Sequence, residues 1–206
     1  MKLYLVRHGQ TEHNASSLHQ DEKVELSKQG KKQAIILAKR FSKIPIELIY
    51  SSPMNRARKT AEVINKKIKK EIIYSDFLKE WKNPSEVIDK SIDDPEVKKI
   101  HELTYKHRDD PFWHYSDEEN FFEFKKRVFK FINLLSKTKK ENILAVTHGG
   151  PIRVMILLMM LGDNINGDDF RKFKSTFRLD NTGITLCKKE NGYWVIQTFN
   201  DHSHLG

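Results

Sequence analysis

Two histidines stand at the ends of apolar runs in this 206-residue chain, and both could do chemistry on a small anion. Arg7 and His8 directly follow the run 3–6, and His148 directly follows the run 143–147. Runs of this length and composition predict buried strands. Ligands bind at the carboxyl edge of sheets in open α/β folds, so we expect the two histidines to face each other across one small anion.

Three sequence blocks carry a family resemblance. They are LVRHGQTEHN at 5–14, SSPMNRARKTAE at 51–62 and VTHGG at 146–150. In this order they resemble the signature of the histidine phosphatase superfamily, also called the phosphoglycerate-mutase-like family. The resemblance covers residues 1 to about 156 and is weaker between 81 and 115. It implies an α/β fold and phosphoryl transfer that uses no metal and no other cofactor.

The resemblance assigns the central chemistry to four residues. His8 matches the family's nucleophile, and a neutral imidazole can attack phosphorus to form a phosphohistidine. Arg7 and Arg56 match the guanidinium pair that holds the phosphoryl oxygens, and their positive charge would also keep His8 neutral. Arg58 is a near neighbour of Arg56, but the pattern Ser-Pro, two residues, then Arg-Ala fits Arg56. His148 matches the second histidine, which would donate to a phosphoryl oxygen in the transition state.

Four further residues are candidates for binding substrate. Asn14 stands six residues after His8, where the family has an asparagine, and would donate an amide hydrogen to the phosphate. Thr11 and Gln10 are weaker candidates for the same role, with a local loop hydrogen bond as the alternative. Gly149 would let the backbone approach the ligand closely.

The leaving alkoxide needs a general acid, and Glu80 is our candidate. It stands where the family commonly has an acidic residue after the third strand, and nearby phosphate would favour its protonated form. Asp76 and Glu86 are its competitors. The following residues, 81–85, depart from the stretch with glycine and tryptophan that many relatives have.

The acceptor of the phosphoryl group separates a phosphatase from a mutase. Mutases of this type usually have a longer chain and a Glu-Arg-His-Tyr-Gly-like stretch, which the residues 80–83 do not resemble. We therefore favour a phosphomonoesterase acting on a small phosphate ester. A phosphoglycerate-mutase-type enzyme, an isomerase, and a non-catalytic module that binds phosphorylated ligands are the alternatives. Aromatic residues at 112–115 could line the leaving-group pocket or form the core of a cap.

Composition limits the class of protein. A net charge of +9 comes from lysines scattered along the chain, so we expect attraction of anionic substrates and no nucleic-acid binding. No apolar run approaches the length of a membrane span, and no signal peptide is visible, so we expect a cytoplasmic protein. The single cysteine, Cys187, is expected to pack in a strand. The nine histidines show no metal-binding spacing, and no glycine-rich nucleotide loop is present. The sequence does not fix the oligomeric state, and a homodimer is one candidate assembly.

These patterns predict a single domain, 1–206, of α/β class. We expect a three-layer α/β/α sandwich with a mainly parallel sheet, antiparallel C-terminal strands and a small helical cap insertion at about 81–117. The expected strands are 2–7, 46–50, 72–74, 143–147 and a hairpin around 190–192. The expected helices are one from Ser27 to Phe41, one that Ser52 caps with Pro53 in its first position, and those at 117–136 and 151–161.

Overall fold

The computed structural model describes residues 1–206, and one six-stranded sheet runs through the middle of the molecule. Its strands are β1 (Lys2–Arg7), β2 (Leu48–Ser51), β3 (Ile72–Tyr74), β4 (Asn142–Thr147), β5 (Ile184–Glu190) and β6 (Tyr193–Asp201). Their spatial order is β3-β2-β4-β1-β5-β6. The first four strands are parallel, and β5 and β6 are antiparallel. The predicted mixed sheet is therefore confirmed.

Seven helices surround the sheet. They are α1 (Glu12–Ala15), α2 (Lys28–Phe41), α3 (Asn55–Ile68), α4 (Pro95–Lys106), α5 (Phe121–Leu135), α6 (Gly149–Leu161) and α7 (Gly167–Thr176). None of them combines the length and apolar character that a membrane crossing requires.

Alternate side chains of β1 belong to two separate cores. Leu3 and Leu5 pack with residues of α5 and α6, whereas Tyr4 and Val6 pack with residues of α2 and α3. Successive side chains of a strand point to opposite faces, so one apolar strand can support both helical layers. The three-layer α/β/α architecture is confirmed.

Several helix boundaries differ from the sequence prediction. Helix α3 begins at Asn55, after Met54, and Ser52 is not its cap. Helix α5 begins only after Asn120, because Asn120 and Glu123 form a reciprocal capping box there. Helix α6 starts two residues before Pro151, and α7 was not predicted.

The segment 81–117 contains a short 3₁₀ turn, Ser85–Val87, and the helix α4. Its buried apolar centre is a small aliphatic cluster of Val87, Val97 and Ile100. The aromatic residues at 112–115 lie outside that cluster, and Phe112 is 88% exposed.

Candidate active site

His8 follows the last residue of β1 and is buried, with 2% of its surface exposed. Its Nδ1 lies 2.7 Å from the carbonyl oxygen of Gly9. A carbonyl oxygen can only accept a hydrogen bond, so Nδ1 carries the proton in the neutral ring. The lone pair is therefore on Nε2, which is the nitrogen available to attack an electrophile.

The surroundings of His8 keep its imidazole uncharged. Burial lowers the pKa of His8 well below its ordinary value, and the positive charges of Arg56 and Arg7 lower it further. The hydrogen bond to the Gly9 carbonyl acts in the opposite direction but is the smallest of these effects. His8 is thus neutral, and competent as a nucleophile, at physiological pH.

Two arginines lie close enough to influence His8. Arg56, in the first turn of α3, is only 1% exposed and donates through Nη1 to the carbonyl oxygen of Asp21 at 2.6 Å. Burial lowers its pKa to about 10, so it still carries its charge at neutral pH. Arg7 donates through Nη1 to the carbonyl oxygen of Leu179 at 2.5 Å. The Nε atoms of both arginines are buried without a partner, and each can donate a hydrogen bond to a phosphoryl oxygen.

His148 lies directly before α6, and its ring centre is 5.0 Å from that of His8. The His148 ring is fully buried, and its Nε2 lies 2.9 Å from Ser52 Oγ. Ser52 Oγ also accepts from the backbone N–H of Met54 at 3.3 Å, which leaves its own proton to donate to Nε2. In that arrangement Nδ1 of His148 carries a proton and has no partner in the protein.

The pKa of His148 is lowered by the same causes as the pKa of His8. Burial lowers the pKa of His148 well below its ordinary value, and the positive charges of Arg56 and Arg7 lower it further. The neutral ring can still donate a hydrogen bond through Nδ1.

Glu80 reaches the first turn of α6. Its Oε1 accepts hydrogen bonds from the backbone N–H groups of Gly150 and Trp81, both at 3.0 Å. A Cβ on Gly150 would stand only 2.2 Å from that oxygen, so the contact requires a glycine at this position. Arg127 holds the backbone of the same segment by donating to the carbonyl oxygens of Lys79 and Glu80 at 2.9 and 3.2 Å.

The two competing carboxylates face elsewhere. Asp76 pairs with Lys79 at 3.2 Å and is largely exposed. Glu86 is exposed and accepts from Ser116 Oγ at 2.8 Å. Of the three carboxylates, only Glu80 lies close enough to raise the pKa of Arg7 and of Arg56.

The loop after His8 is tied down by its own side chains. Thr11 is fully buried and accepts at Oγ1 from the backbone N–H of Asn14 at 3.0 Å, while Asn14 Oδ1 accepts from the Thr11 N–H at 3.3 Å. Gln10 accepts at Oε1 from Ser27 Oγ at 3.3 Å. The oxygens of these side chains thus maintain the loop, and the Asn14 Nδ2 amide makes none of these bonds.

Arg58 lies on the protein surface, whereas Gly149 lies next to His148 in the site. Arg58 lies 3.7 Å from Glu62 on the outer face of α3, with 42% of its side chain exposed. Gly149 is the first residue of α6, directly after His148. A Cβ on Gly149 would stand 2.8 Å from Nη1 of Arg153, so this glycine permits a close approach of that guanidinium.

Comparison with known proteins identifies the family. The sequence matches the histidine phosphatase superfamily (branch 1) over residues 3–202. The chain belongs to this superfamily. A phosphatase superfamily agrees with the site, in which two buried histidines lie beside two arginines.

Relatives and solved structures of this superfamily are similar over nearly the whole chain. Phosphoserine phosphatase 1 of Hydrogenobacter thermophilus is 30% identical, with 100% of this chain and 95% of that protein covered. The metal-independent phosphoserine phosphatase of Arabidopsis thaliana is 27% identical, covering 99% and 83%. A mutant phosphoserine phosphatase of Entamoeba histolytica, solved in complex with phosphoserine, has a TM-score of 0.79 at 27% identity, covering 100% and 99%. The present protein is accordingly a phosphatase.

In this histidine phosphatase the segment between α7 and β5 holds the backbone of Arg7 and His8, a contact that sequence reasoning missed. Asn181 Nδ2 donates to the carbonyl oxygen of His8 at 3.0 Å, and the backbone N–H of Thr182 donates to that of Arg7 at 3.0 Å. The run of turn-forming residues at 180–183, just before a strand, was the only local signal. Ser52 was also missed as the partner of His148, because the two lie 96 positions apart.

Proposed function

We propose that this protein is a phosphomonoester hydrolase that works through a phosphohistidine on His8, without a metal. The observation that carries the proposal is the bond from His8 Nδ1 to the Gly9 carbonyl, which leaves the Nε2 lone pair free. This lone pair belongs to a buried, neutral ring next to two guanidinium groups. Such a combination favours attack on phosphorus over proton binding.

The first half-reaction transfers the phosphoryl group to the protein. His8 Nε2 forms a bond to phosphorus as the ester P–O bond breaks. Glu80, protonated at this stage, gives its proton to the leaving oxygen and becomes a carboxylate. The products of this step are the free alcohol and a phosphohistidine.

The second half-reaction restores the enzyme. The Glu80 carboxylate takes a proton from a water molecule, whose oxygen attacks phosphorus as the P–Nε2 bond breaks. Inorganic phosphate leaves, His8 is neutral again, and Glu80 holds the proton for the next cycle.

Charge on the phosphoryl oxygens is balanced by fixed donors in both steps. Arg7 and Arg56 each have a buried Nε without a partner, and His148 has a buried Nδ1 in the same condition. Donors that are already in place need no reorganisation when charge develops, which is the main source of electrostatic catalysis. We include the Asn14 amide and the Gly149 backbone among the phosphate contacts, with Thr11 and Gln10 maintaining the loop.

The test is phosphate release from a panel of phosphate monoesters in the presence of a chelator. We expect His8→Ala to lower turnover by about 10³-fold or more, since it removes the nucleophile. The matched control is His13→Ala, which removes a histidine of the same loop that pairs with Asp89. Rapid quenching in base should trap no phosphoprotein in His8→Ala, whereas the wild type should yield one that is stable in base and labile in acid.

Three other outcomes would contradict the proposal. Activity that survives in His8→Ala would exclude the phosphohistidine. Loss of activity with chelator would exclude the metal-free route. Transfer of the phosphoryl group to a second alcohol in place of water, seen as isomerised phosphoglycerate, would favour the mutase.

A further inference from the structure

The positive charge of this protein is concentrated on two neighbouring helices, although the lysines look scattered along the sequence. The segments 28–43 and 55–70, which contain α2 and α3, hold 13 of the 37 basic residues and one of the 28 acidic residues, a net charge of +12. The other 174 residues hold 24 basic and 27 acidic residues, a net charge of −3. The excess positive charge of the molecule therefore belongs to one layer of the sandwich.

Helices α2 and α3 lie side by side on one face of the sheet. Leu37 and Phe41 of α2 share a buried apolar cluster with Ala57 and Ile64 of α3. Each helix joins the end of one parallel strand to the start of another, so both helices run antiparallel to the strands. Their first turns therefore lie toward the edge of the sheet that carries His8, and their last turns lie toward the opposite edge.

The outer side of α2 is a stripe of lysine and isoleucine. Residues three or four positions apart share one side of a helix. On the side of α2 that faces away from the sheet, this spacing aligns the exposed residues Lys28, Lys32, Ile35 and Lys39. Ile35 is 52% exposed and its neighbour Ile36 is 37% exposed. No acidic residue interrupts the stripe, because the segment 28–43 contains none.

Most lysines of this layer have no carboxylate partner. Only Lys59 forms a salt bridge, with Glu62 on α3 at 3.1 Å. The other nine are exposed and form none, namely Lys28, Lys31, Lys32, Lys39, Lys43, Lys66, Lys67, Lys69 and Lys70. In the cap and its borders, by contrast, Lys79, Lys82 and Lys90 pair with carboxylates at 3.0 to 3.2 Å.

The stability of α2 does not account for its lysines. The first turn of α2 contains no acidic residue, although the helix dipole favours anions there and disfavours cations such as Lys28 and Lys31. Like charges four residues apart, as in Lys28 and Lys32, also destabilise a helix. An external anionic surface would relieve both of these repulsions.

We propose that α2 and the last turn of α3 form a docking surface for an anionic lipid bilayer. Lysines near such a bilayer attract its acidic headgroups. Ile35 and Ile36 can enter the boundary between headgroups and acyl chains, as the apolar residues of interfacial helices do. None of these residues takes part in the phosphoryl transfer described above, so the inference does not depend on the proposed function.

A nucleic acid is the other polyanion that could meet this layer, and two features favour the bilayer. The free cations are all lysines, because Arg40 and Arg58 have carboxylate partners and Arg56 is buried. Arginine is the residue whose fork pairs with phosphate and guanine in two places. The stripe also presents isoleucine, whereas nonspecific binding of single strands uses aromatic side chains on which bases stack.

The test is co-sedimentation of the whole protein with vesicles of phosphatidylcholine, with and without phosphatidylglycerol. Phosphatidylglycerol is a phosphodiester, so a site for phosphate monoesters should not capture it, and saturating inorganic phosphate should not release the protein. We expect binding to the acidic vesicles alone. Raising the salt from about 0.1 M to about 1 M should release the protein, because the screening length falls from about 10 Å to about 3 Å.

Substitutions separate the contributions of charge and apolar surface. Replacing Lys28, Lys32, Lys39 and Lys43 together with Gln should lower the vesicle partition coefficient by more than about 100-fold, since each lysine near an acidic bilayer contributes about fivefold. Ile35→Ser with Ile36→Ser should lower it by about tenfold at unchanged charge.

The matched control removes four exposed lysines from α4 and α5. It combines Lys99→Gln, Lys106→Gln, Lys126→Gln and Lys130→Gln. We expect its partition coefficient to stay within about threefold of the wild-type value, because these lysines lie outside the α2 and α3 layer. Circular dichroism checks that each variant is folded.

Several outcomes would overturn the docking surface. They are equal binding to neutral and acidic vesicles, binding to neither, and equal losses in the α2 variant and its matched control. Binding of duplex DNA through the same four lysines, without binding of vesicles, would assign the layer to nucleic acid instead. Failure to hydrolyse any phosphate ester would contradict the proposed function and would leave the vesicle result unchanged.

Discussion

The Glu80 carboxylate can approach the start of α6 because residue 150 is a glycine. Its carboxylate accepts from the Gly150 N–H at 3.0 Å, and a Cβ on that glycine would overlap the oxygen. The Arg127 guanidinium donates to the carbonyl oxygens of Lys79 and Glu80, and so fixes the backbone before and after Glu80. If Glu80 is the proton donor that we propose, holding it from both sides fixes its carboxylate relative to the leaving oxygen.

Replacing Glu80 with Gln should test its role as proton donor. We expect kcat/KM for an alkyl phosphate to fall by about 10²–10⁴-fold, the usual contribution of a general acid. For p-nitrophenyl phosphate, kcat/KM should fall far less, because this constant reports the first half-reaction and the nitrophenolate departs without a proton. Steady-state kinetics on the two substrates provides the measurement.

Glu86→Gln is the matched control for that experiment, since Glu86 is an exposed carboxylate of the same segment. Equal losses on the alkyl and the nitrophenyl ester in Glu80→Gln would contradict the role of a proton donor and indicate a positioning defect.

Sequence reasoning could propose residues whose signal is local, and it missed residues whose partners are distant along the chain. His8 and His148 stand at strand ends, and Arg56 has a motif around it, so each could be proposed from its neighbours. Ser52 resembles a helix cap followed by proline, but α3 begins three residues later and the hydroxyl bonds His148. Asn181 contacts the residue of the nucleophile across 173 positions, and no local pattern contains such a contact.

At the scale of elements, α2 and the loop after β1 pack backbone against backbone. Gly30, in the first turn of α2, would place a Cβ only 2.0 Å from the carbonyl oxygen of Gln10. Gly9 also lies close, since its Cβ would stand 2.6 Å from the carbonyl oxygen of Gly30. Helix α2 therefore helps to hold the loop that follows His8.

Gly30→Ala should destabilise the protein, although alanine is the better helix former. Helix propensity alone would stabilise it by about 1 kcal/mol, whereas the clash with rigid backbone should cost about 1–3 kcal/mol more than that gain. Turnover should also fall, because Gln10 is two residues from His8. Urea unfolding and kinetics measure the two effects.

The control for this variant is Gly167→Ala at the start of α7. A Cβ there would meet only the Arg108 side chain, at an ordinary 3.6 Å. We expect unfolding and turnover to be close to wild type. A Gly30→Ala protein as stable and active as Gly167→Ala would refute the packing argument.

Elements with strong periodicity were predictable, and weakly patterned ones were not. Helix α7 escaped detection because Phe170 and Phe173 are its only buried side chains. The start of α5 was placed too early, because the acidic residues before Asn120 look like a first turn, whereas the capping box fixes the start at Phe121.

At the scale of the whole molecule, buried histidines make stability depend on pH. Burial lowers the pKa of His8 and His148 well below their ordinary value, and that of His19 to about 4. Below about pH 6.5 the unfolded chain binds protons at these rings that the folded protein does not. Acid therefore favours the unfolded state.

The free energy of unfolding should fall as the pH decreases from 7 to 5. The loss should be about 2 kcal/mol for each fully buried histidine at pH 5. His114 opposes this trend, since its bond to Glu123 raises its pKa, but it is one partly exposed ring. Urea titrations at several pH values measure the slope, and His8→Asn should reduce it. A stability independent of pH in this range would contradict the burial of neutral rings.

The sheet order also determines when a newly made chain can first act. A ribosome produces β1 with Arg7 and His8 at the outset, but this strand pairs with β4 on one side and β5 on the other. The carbonyl oxygen that receives the Arg7 guanidinium belongs to a residue made 172 positions later. A nascent chain that has just completed β4 and α6 contains all three signature blocks but lacks this support. The His8 imidazole, our proposed nucleophile, is thus held in its final position only late in translation, when the last strands have joined the sheet.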